Sequence, residues 1–391
     1  MVKAIKVMLI PNNVQKTKMF QYAGASRFAY NWALAREIEN YEKGGKFISD
    51  AELRKEFTKL RHSDEYAWLL NISNNVTKQA IKDACTAYKN FFKGLQKFPR
   101  FKSKKRSMPK FYQDNVKIQF SNTHVKFEGF SSSRKANKQK MNWVRLAEHG
   151  RIPTDVKYMN PRISFDGLNW WISVCVEFPD CRETLNDDGV GIDLGIKDLA
   201  VCSDGTKYKN INKSQKIKKL EKQKRRLQRS ISRSYEKNKK GESYCKTNNV
   251  IKKEKLLLKR NHRLTNIRKN YLNQTISEII NRKPRFICIE DLNVSGMMKN
   301  RHLSKAVQQQ GFYEFRRQME YKSKWNNIQV IIADRFFPSS KLCSCCGKIK
   351  KDLKLSERIY KCECGNIIDR DLQAALNLKK YGEDVLKRSV A

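Results

Sequence analysis

The stretch Val190-Gly191-Ile192-Asp193-Leu194 decides how the second half of this chain is read. Its apolar residues suit a short buried strand, and the carboxylate that interrupts them is costly to hold there without cations nearby. A second apolar stretch, 199–202, ends at the turn pair Asp204-Gly205. Further on, Phe286-Ile287-Cys288-Ile289 forms another strand with Glu290 near its C-terminal end, and residues 328–333 form one more. Residues 371–380 read as a helix that opens on Asp371 and continues through Leu372, Ala374, Ala375 and Leu378. Strands alternating with helices make the region from residue 187 onward an α/β domain. Carboxylates at the carboxyl ends of two strands and at the start of a helix can converge above such a sheet. Their repulsion calls for counter-charge, and two Mg²⁺ ions would stabilise the attacking and leaving oxygens of an in-line phosphodiester displacement. Each acid alone has an ordinary alternative. Asp193, flanked by Gly191 and Gly195, suits a turn or cap; Asp291 competes with Glu290 from the opposite sheet face; Asp371 suits a helix N-cap, with Asp369 as its competitor.

Composition narrows the partner. Of 391 residues, 82 are Lys or Arg and 39 are Asp or Glu, a formal charge of +43. At 39% hydrophobic and 10% aromatic the chain is too apolar for a disordered basic tail. A folded body carrying this charge calls for a polyanion, and its spread favours nucleic acid over a membrane surface. No apolar run approaches the roughly 18–20 residues of a spanning helix. The start, Met1-Val2-Lys3-Ala4-Ile5-Lys6, is broken by lysines and followed by Pro11, so no signal peptide is expected.

Ahead of the α/β region, residues 1–10 read as a strand stopped by Pro11, and 14–97 as helical. Ser49 and Glu52 form a capping box before Leu53, Phe57 and Leu60; a further helix carries Val76, Ala80, Ala84, Tyr88, Phe91 and Leu95. All of these fit a plain helical core. Residues 116–178 turn to strands, with a hairpin of 162–165 and 170–178 about Asp166-Gly167, completing a small β-barrel with the N-terminal strand.

Two segments concentrate positive charge. Phe98-Pro99-Arg100-Phe101-Lys102-Ser103-Lys104-Lys105-Arg106 interleaves rings with cations, as a surface that stacks bases and holds phosphates would, although a solvated charge run reads the same way. Residues 211–240 hold 13 Lys or Arg, Lys224, Arg225 and Arg226 among them, around a narrow stripe of Ile217, Leu220, Leu227 and Ile231. Gly241 marks a bend into a helix bearing Leu257, Leu264, Ile267, Tyr271 and Ile279.

Of 11 cysteines, Cys85, Cys175, Cys181, Cys202, Cys245 and Cys288 are scattered, while five cluster between 343 and 364. Cys343-x-x-Cys346 and Cys362-x-Cys364 supply four thiolates in two short turns, a set suited to one tetrahedral structural Zn²⁺ in a reducing compartment. Cys345 is left over. None of His62, His124, His149, His262 and His302 has the spacing of a ligand or base.

These residues, taken in order, resemble a known family. Gly191-Ile192-Asp193-Leu194-Gly195-Ile196-Lys197, Ile289-Glu290-Asp291-Leu292-Asn293, Pro338-Ser339-Ser340 running into Cys343-x-x-Cys346-Gly347, and Asp369-Arg370-Asp371 with Ala374, Ala375 and Asn377 closely resemble the transposon-encoded TnpB proteins. The TnpB proteins are compact relatives of the type V CRISPR effector nucleases. Tyr30-Asn31-Trp32 and the 98–102 segment extend the likeness to the N-terminal half. The resemblance implies a multidomain α/β plus α+β protein. It would comprise a wedge β-barrel (1–11 and 98–182), a helical recognition domain (12–97) and a RuvC-like nuclease domain of ribonuclease H fold (187–391), with a zinc ribbon inserted at 338–368. It further implies RNA-guided cleavage of double-stranded DNA beside a short motif, with a guide RNA from the transposon end. Asp193, Glu290 and Asp371 would be the catalytic acids, holding two Mg²⁺ or Mn²⁺. Asp371 is chosen over Asp369 by a D-x-N-x-A motif, in which Gln373 replaces the usual Asn. Cys343, Cys346, Cys362 and Cys364 would hold one Zn²⁺, with a C-x-C pair as a second departure. Arg100, Lys102, Lys104, Lys105, Arg106, Lys224, Arg225 and Arg226 are the candidate contacts to nucleic-acid backbone. The implied location is a prokaryotic cytoplasm, at the nucleoid. Two rival readings are a catalytically silent RNA-guided repressor and a guide-free DNA-binding accessory to transposition.

Overall fold

The computed structural model describes residues 1–130, 140–179, 184–354 and 356–390, in two units, Met1–Pro179 and Asp180–Ala391. Cys181 lies outside the described residues.

In the first unit, β1 (Val2–Ile10) buries Val7 and Leu9, two residues apart and so on one face. It runs along β7 (Trp170–Glu177) from Val2 opposite Glu177 to Leu9 opposite Trp170, and its far end pairs with β5 (Trp143–Leu146). With β2 (Lys110–Tyr112), β3 (Gln119–Phe120), β4 (His124–Lys126) and β6 (Tyr158–Phe165), it forms an antiparallel sheet in the order β2-β6-β7-β1-β5-β4-β3. The N-terminal strand is therefore central. The β6–β7 hairpin turns at Gly167, whose φ of 95° suits glycine, as the Asp166-Gly167 pair predicts.

The helical stretch divides into α1 (Asn13–Glu42), α2 (Asp50–Arg61), a 3-10 turn (Asp64–Asn71) and α3 (Asn74–Phe92). The expected Ser49/Glu52 capping box starts α2. Val76, Ala80, Ala84 and Tyr88 are buried on α3, but Leu95 is exposed, because the helix stops at Phe92 and Gly94 follows in a left-handed conformation. Arg162 of β6 grips Asp83 of α3 through two hydrogen bonds of 2.6 and 2.9 Å, tying helix to sheet.

The second unit is built on a five-stranded sheet, order β10-β9-β8-β13-β14. β8 (Val190–Leu194), β9 (Asp198–Cys202) and β10 (Lys207–Lys209) form an antiparallel meander, while β8, β13 (Phe286–Glu290) and β14 (Gln329–Ala333) run parallel. The crossover to β13 contains α4 (Gln215–Lys237), the small hairpin β11 (Lys239–Lys240) and β12 (Ser243–Tyr244), and α5 (Asn248–Asn281). The next contains α6 (Val294–Lys299), α7 (Ser304–Gln310) and α8 (Phe312–Trp325). A hairpin of β15 (Ile359–Lys361) and β16 (Ile367–Asp369) leads into α9 (Arg370–Val390). Among the described residues no helix is long and apolar enough to cross a membrane.

The two sheet faces bury different helices. Ile192, Ile287 and Ile289 share a core with Leu272 and Ile276 of α5 and Phe315 and Met319 of α8. Phe286, Cys288 and Ile331 share another with Leu378 of α9. The helix lies close. A Cβ on Gly191 would fall 2.0 Å from the Ala375 carbonyl oxygen and 2.4 Å from the Lys379 amide nitrogen, so only glycine admits α9 at this height. Gly191→Ala should lower the unfolding free energy by about 1–3 kcal/mol in chemical denaturation, because the clash is with backbone that cannot swing aside. Gly24→Ala, in α1 with nothing within 4 Å of the new methyl, should be neutral or slightly stabilising.

Candidate active site and cysteine centre

Alternation along two strands assembles the acids. Successive side chains on a strand face opposite sides. With Ile192 in the α5 core, Gly191 and Asp193 face α9; with Phe286 and Cys288 in the α9 core, Glu290 faces α9 as well. Ile192 is paired with Ile289, so the next residues, Asp193 and Glu290, stand side by side at the carboxyl ends of parallel strands. Asp371 sits in the first turn of α9, against the same face.

The competing acids are accounted for elsewhere. Asp291 turns away and accepts from Arg316 at 2.6 Å and from Arg335 at 2.5 and 3.0 Å. Asp369 caps α9: its Oδ1 accepts the backbone amides of Asp371 (2.9 Å) and Leu372 (3.2 Å), and its Oδ2 meets Lys207 at 2.9 Å. Asp371 is thereby spared the capping role, with Arg370 and Arg358 at 3.5 and 3.7 Å.

The electrostatics mark this place as expensive. Burial, then the charges of Glu290 and Asp371, push the Asp193 carboxyl well above the ordinary range, against the pull of Arg370. Burial also raises Glu290, opposed by a hydrogen bond donated by Ser339. Hard oxygen donors gathered on one sheet face, one of them disfavoured by the charges of the other two, suit a divalent cation such as Mg²⁺ or Mn²⁺.

Cys343, Cys346, Cys362 and Cys364 place their sulfurs within 4.8 Å of one another, the only such group of three or more ligating side chains among the described residues, so the three carboxylates do not all lie that close. Two of the sulfur pairs are separated by 3.7 Å (343 and 364) and 3.6 Å (346 and 362). Four thiolates about 2.3 Å from a central ion would have edges of about 3.8 Å, so these two pairs match the spacing of tetrahedral zinc. Burial opposes ionisation of Cys343, yet amide donors at Cys346, Asn366 and Cys345 bring its pKa down to about 6. The C-x-C spacing is no obstacle, and Cys345 is exposed outside the cluster.

Sequence reading assigns no role to Ser339 and treats Gln373 only as a departure. Ser339 is buried against Glu290; Gln373 and Asn377 are buried too, and their side chains bind the chain just before the cysteines. Only the buried polarity of that face of α9 could have signalled this.

The basic candidates separate. In the first unit Arg100, Lys104, Lys105 and Arg106 are exposed, and 104–106 line a groove with Thr17, Phe20, Gly24 and Arg27. Lys102 does not join them. Its ammonium lies 3.0 Å from the Tyr30 ring centroid, its backbone is clamped at 2.8 Å on both sides by the Asn31 amide, and burial with the nearby Lys110 charge lowers its pKa to about 7. In the second unit Arg225 and Arg226 are exposed on α4, and Lys224 is half-buried.

Residues 173–301, which hold Asp193 and Glu290, match the family model described as "Probable transposase", and residues 312–378, which hold Asp371 and the cysteines, match "Cas12f1-like, TNB domain". Residues 1–46 match "Helix-turn-helix domain"; in this chain they are β1 and α1. The chain is 30% identical to "Putative RNA-guided DNA endonuclease InsQ" of Escherichia coli (strain K12), over 98% of its own length and 93% of the relative's. It belongs to the TnpB family. Another relative, "Putative RNA-guided DNA endonuclease" of Streptomyces pristinaespiralis, is 28% identical over 97% of this chain and 89% of its own. Among solved structures, "Cryo-EM structure of the Cas12f1-sgRNA-target DNA complex" superposes with a TM-score of 0.60 at 12% identity, covering 97% of this chain and 98% of that one. The fold of this TnpB protein is thus the mixed α/β fold of a Cas12 effector.

The raised Asp193 carboxyl predicts how stability follows pH in metal-free protein. A carboxyl with a folded pKa above its unfolded value, about 3.9, stabilises the fold only when protonated, so stability falls as pH rises through the folded pKa. Asp193→Asn should therefore raise the melting temperature of chelator-treated protein at neutral pH. The gain should vanish below about pH 4, and an equal gain at both pH values would contradict it.

Proposed function

We propose that this TnpB-family protein is an RNA-guided endonuclease of a transposable element that hydrolyses phosphodiester bonds of target DNA. The convergence of Asp193, Glu290 and Asp371 on one face of the parallel strands carries this reading. The second unit would be the RuvC-like nuclease domain, of ribonuclease H fold, with a zinc ribbon at 338–368. In the first, 1–11 and 98–182 would form the wedge barrel and 12–97 the recognition domain. Its partners would be a guide RNA from the transposon end and double-stranded DNA carrying a short adjacent motif. Base pairing would read the sequence, leaving the protein to hold a heteroduplex by shape and backbone. The charge of +43 suits that task, and Arg100, Lys104, Lys105, Arg106, Arg225 and Arg226 are exposed for it.

Asp193, Glu290 and Asp371 would hold two Mg²⁺ or Mn²⁺ ions, which when bound supply Lewis-acid stabilisation to the attacking and leaving oxygens. The chain's own part is to hold three carboxylates on one face of the sheet. Rigid strands present two of them, Asp369 frees the third by capping α9, and Ser339 donates to Glu290. Cys343, Cys346, Cys362 and Cys364 would hold one structural Zn²⁺ with no open position.

Asp193→Ala, Glu290→Gln and Asp371→Ala should each lower cleavage by at least about a hundredfold while leaving guide-dependent DNA binding within threefold. Cutting that survives Asp193→Ala would refute the site, and DNA binding that survives ribonuclease treatment would favour the guide-free accessory. Metal analysis should find one zinc per chain, retained in Cys345→Ser and lost in Cys343→Ser with a lower melting temperature.

A further inference from the structure

The segment joining β14 to the cysteine centre touches the acids. Ser339 is 5% exposed and its hydroxyl donates to Glu290 Oε1. Its backbone is fixed from below, where Asn377 Nδ2 donates to the carbonyl oxygens of Ser339 and Leu342, both at 2.7 Å. One helical turn earlier, Gln373 Nε2 donates to the same Leu342 oxygen at 2.6 Å, while its Oε1 accepts from Ser344 Oγ at 2.9 Å and Asn366 Nδ2 at 3.3 Å. Within the segment, the amides of Lys341 and Leu342 close a tight turn onto the Pro338 carbonyl at 2.9 Å. Asn377 Oδ1 has no hydrogen-bond partner among the described residues. A buried amide with an idle acceptor costs stability, and here both of its donor contacts go to this segment, residues 338–342, the neck of the cysteine centre.

Glu290 needs such a contact. It ends its strand on a long, rotatable side chain beside Asp193, and the hydroxyl of Ser339 is the side-chain donor that meets it. We propose that Ser339 is a positioning residue for Glu290 and that Asn377 holds Ser339 in place; this rests on the nuclease reading above. The neck then ties three things together: α9 with Asp371, the Glu290 carboxylate, and the base of the cysteine centre. Gln373 reaches across to the cysteine loops through Ser344 and Asn366, and Asn366 in turn meets Cys343 Sγ at 3.5 Å.

Removing a group that orients a metal ligand typically costs 10–100-fold in metal affinity or activity. The test uses full-length protein with the RNA that copurifies, titrated with Mn²⁺ and read by the electron paramagnetic resonance of the free ion. Asp193→Ala serves as the background for sites on the RNA. Ser339→Ala and Asn377→Leu should raise the half-saturating Mn²⁺ of the Asp193-dependent site about tenfold or more and slow cleavage comparably, with DNA binding unchanged. Ser339→Thr, which keeps the hydroxyl, should stay within threefold of wild type. Ser339→Ala matching wild type in the Mn²⁺ titration would overturn the proposal, as would equal losses in Ser339→Ala and Ser339→Thr, or loss of DNA binding along with metal. If no protein cuts, wild type included, the nuclease reading falls, and the Mn²⁺ comparison still decides the role of Ser339.

Discussion

Like charges gathered half-buried on one sheet face are the constraint on which the second unit is organised. Asp193 and Glu290 lie side by side at the ends of parallel strands, with Asp371 on the helix above; burial raises the cost of ionising Asp193 and Glu290, and the charges of Glu290 and Asp371 add to it at Asp193. Such an arrangement survives only if the scaffold cannot relax. The sheet is packed on both faces, and the α9 face is packed so closely that Gly191 has no room for a methyl. Neighbouring acids are removed from the site. Asp291 is neutralised by two arginines, and Asp369 is used as a cap. A fold selected for stability alone would place none of the three acids there, which points to a use for them.

Positive charge divides into cations that hold the protein together and cations left to meet a polyanion. Arg162 on Asp83, Arg268 on Glu221 and Lys102 over Tyr30 belong to the first class. Lys102 shows why a basic run is a poor guide to contact. It sits in the middle of a stretch of cations, yet a ring lies under its ammonium and an amide clamps its backbone, so it is spent on the fold. Its neighbours at 104–106 point outward along a groove. An exposed cation gains little from surface pairing but releases counterions when it meets a phosphate, so the outward set carries the electrostatic part of any nucleic-acid binding.

What could be read in advance was what local pattern dictates. Two short apolar strands, each with a carboxylate at or near its carboxyl end, were enough to suggest that Asp193 and Glu290 could converge above a sheet, and the Cys343/Cys346 and Cys362/Cys364 pairs announced a thiolate site despite the short second spacing. The capping box at Ser49 and the turn at Gly167 were equally local. Legibility ended where two distant segments complete one another. Glu290 and Ser339 are 49 residues apart, and Ser339 and Asn377 are 38 apart. A serine or an amide carries no hydrophobic periodicity to announce its partner. Local pattern alone left Asp371 and Asp369 as equal helix caps and only the motif resemblance chose between them; in the fold it is Asp369 that accepts the amides of Asp371 and Leu372. Leu95 failed differently. Its spacing continued the apolar stripe of α3, but Gly94 had already ended the helix.

Four thiolates around one ion would leave no open coordination position for a substrate, which would make the cysteine centre an accessory. Its attachment argues otherwise. Gln373 is longer by one methylene than the asparagine the motif leads one to expect. That reach lets one buried side chain bind the Leu342 carbonyl on one side and the cysteine loops, through Ser344 and Asn366, on the other. Thiolate sites bind metal and fold together, so metal binding there stiffens whatever is attached. What is attached is the neck carrying Ser339, whose hydroxyl rests on Glu290. A metal held by the four thiolates would thus be linked to the acids without touching them, through one donor resting on one carboxylate.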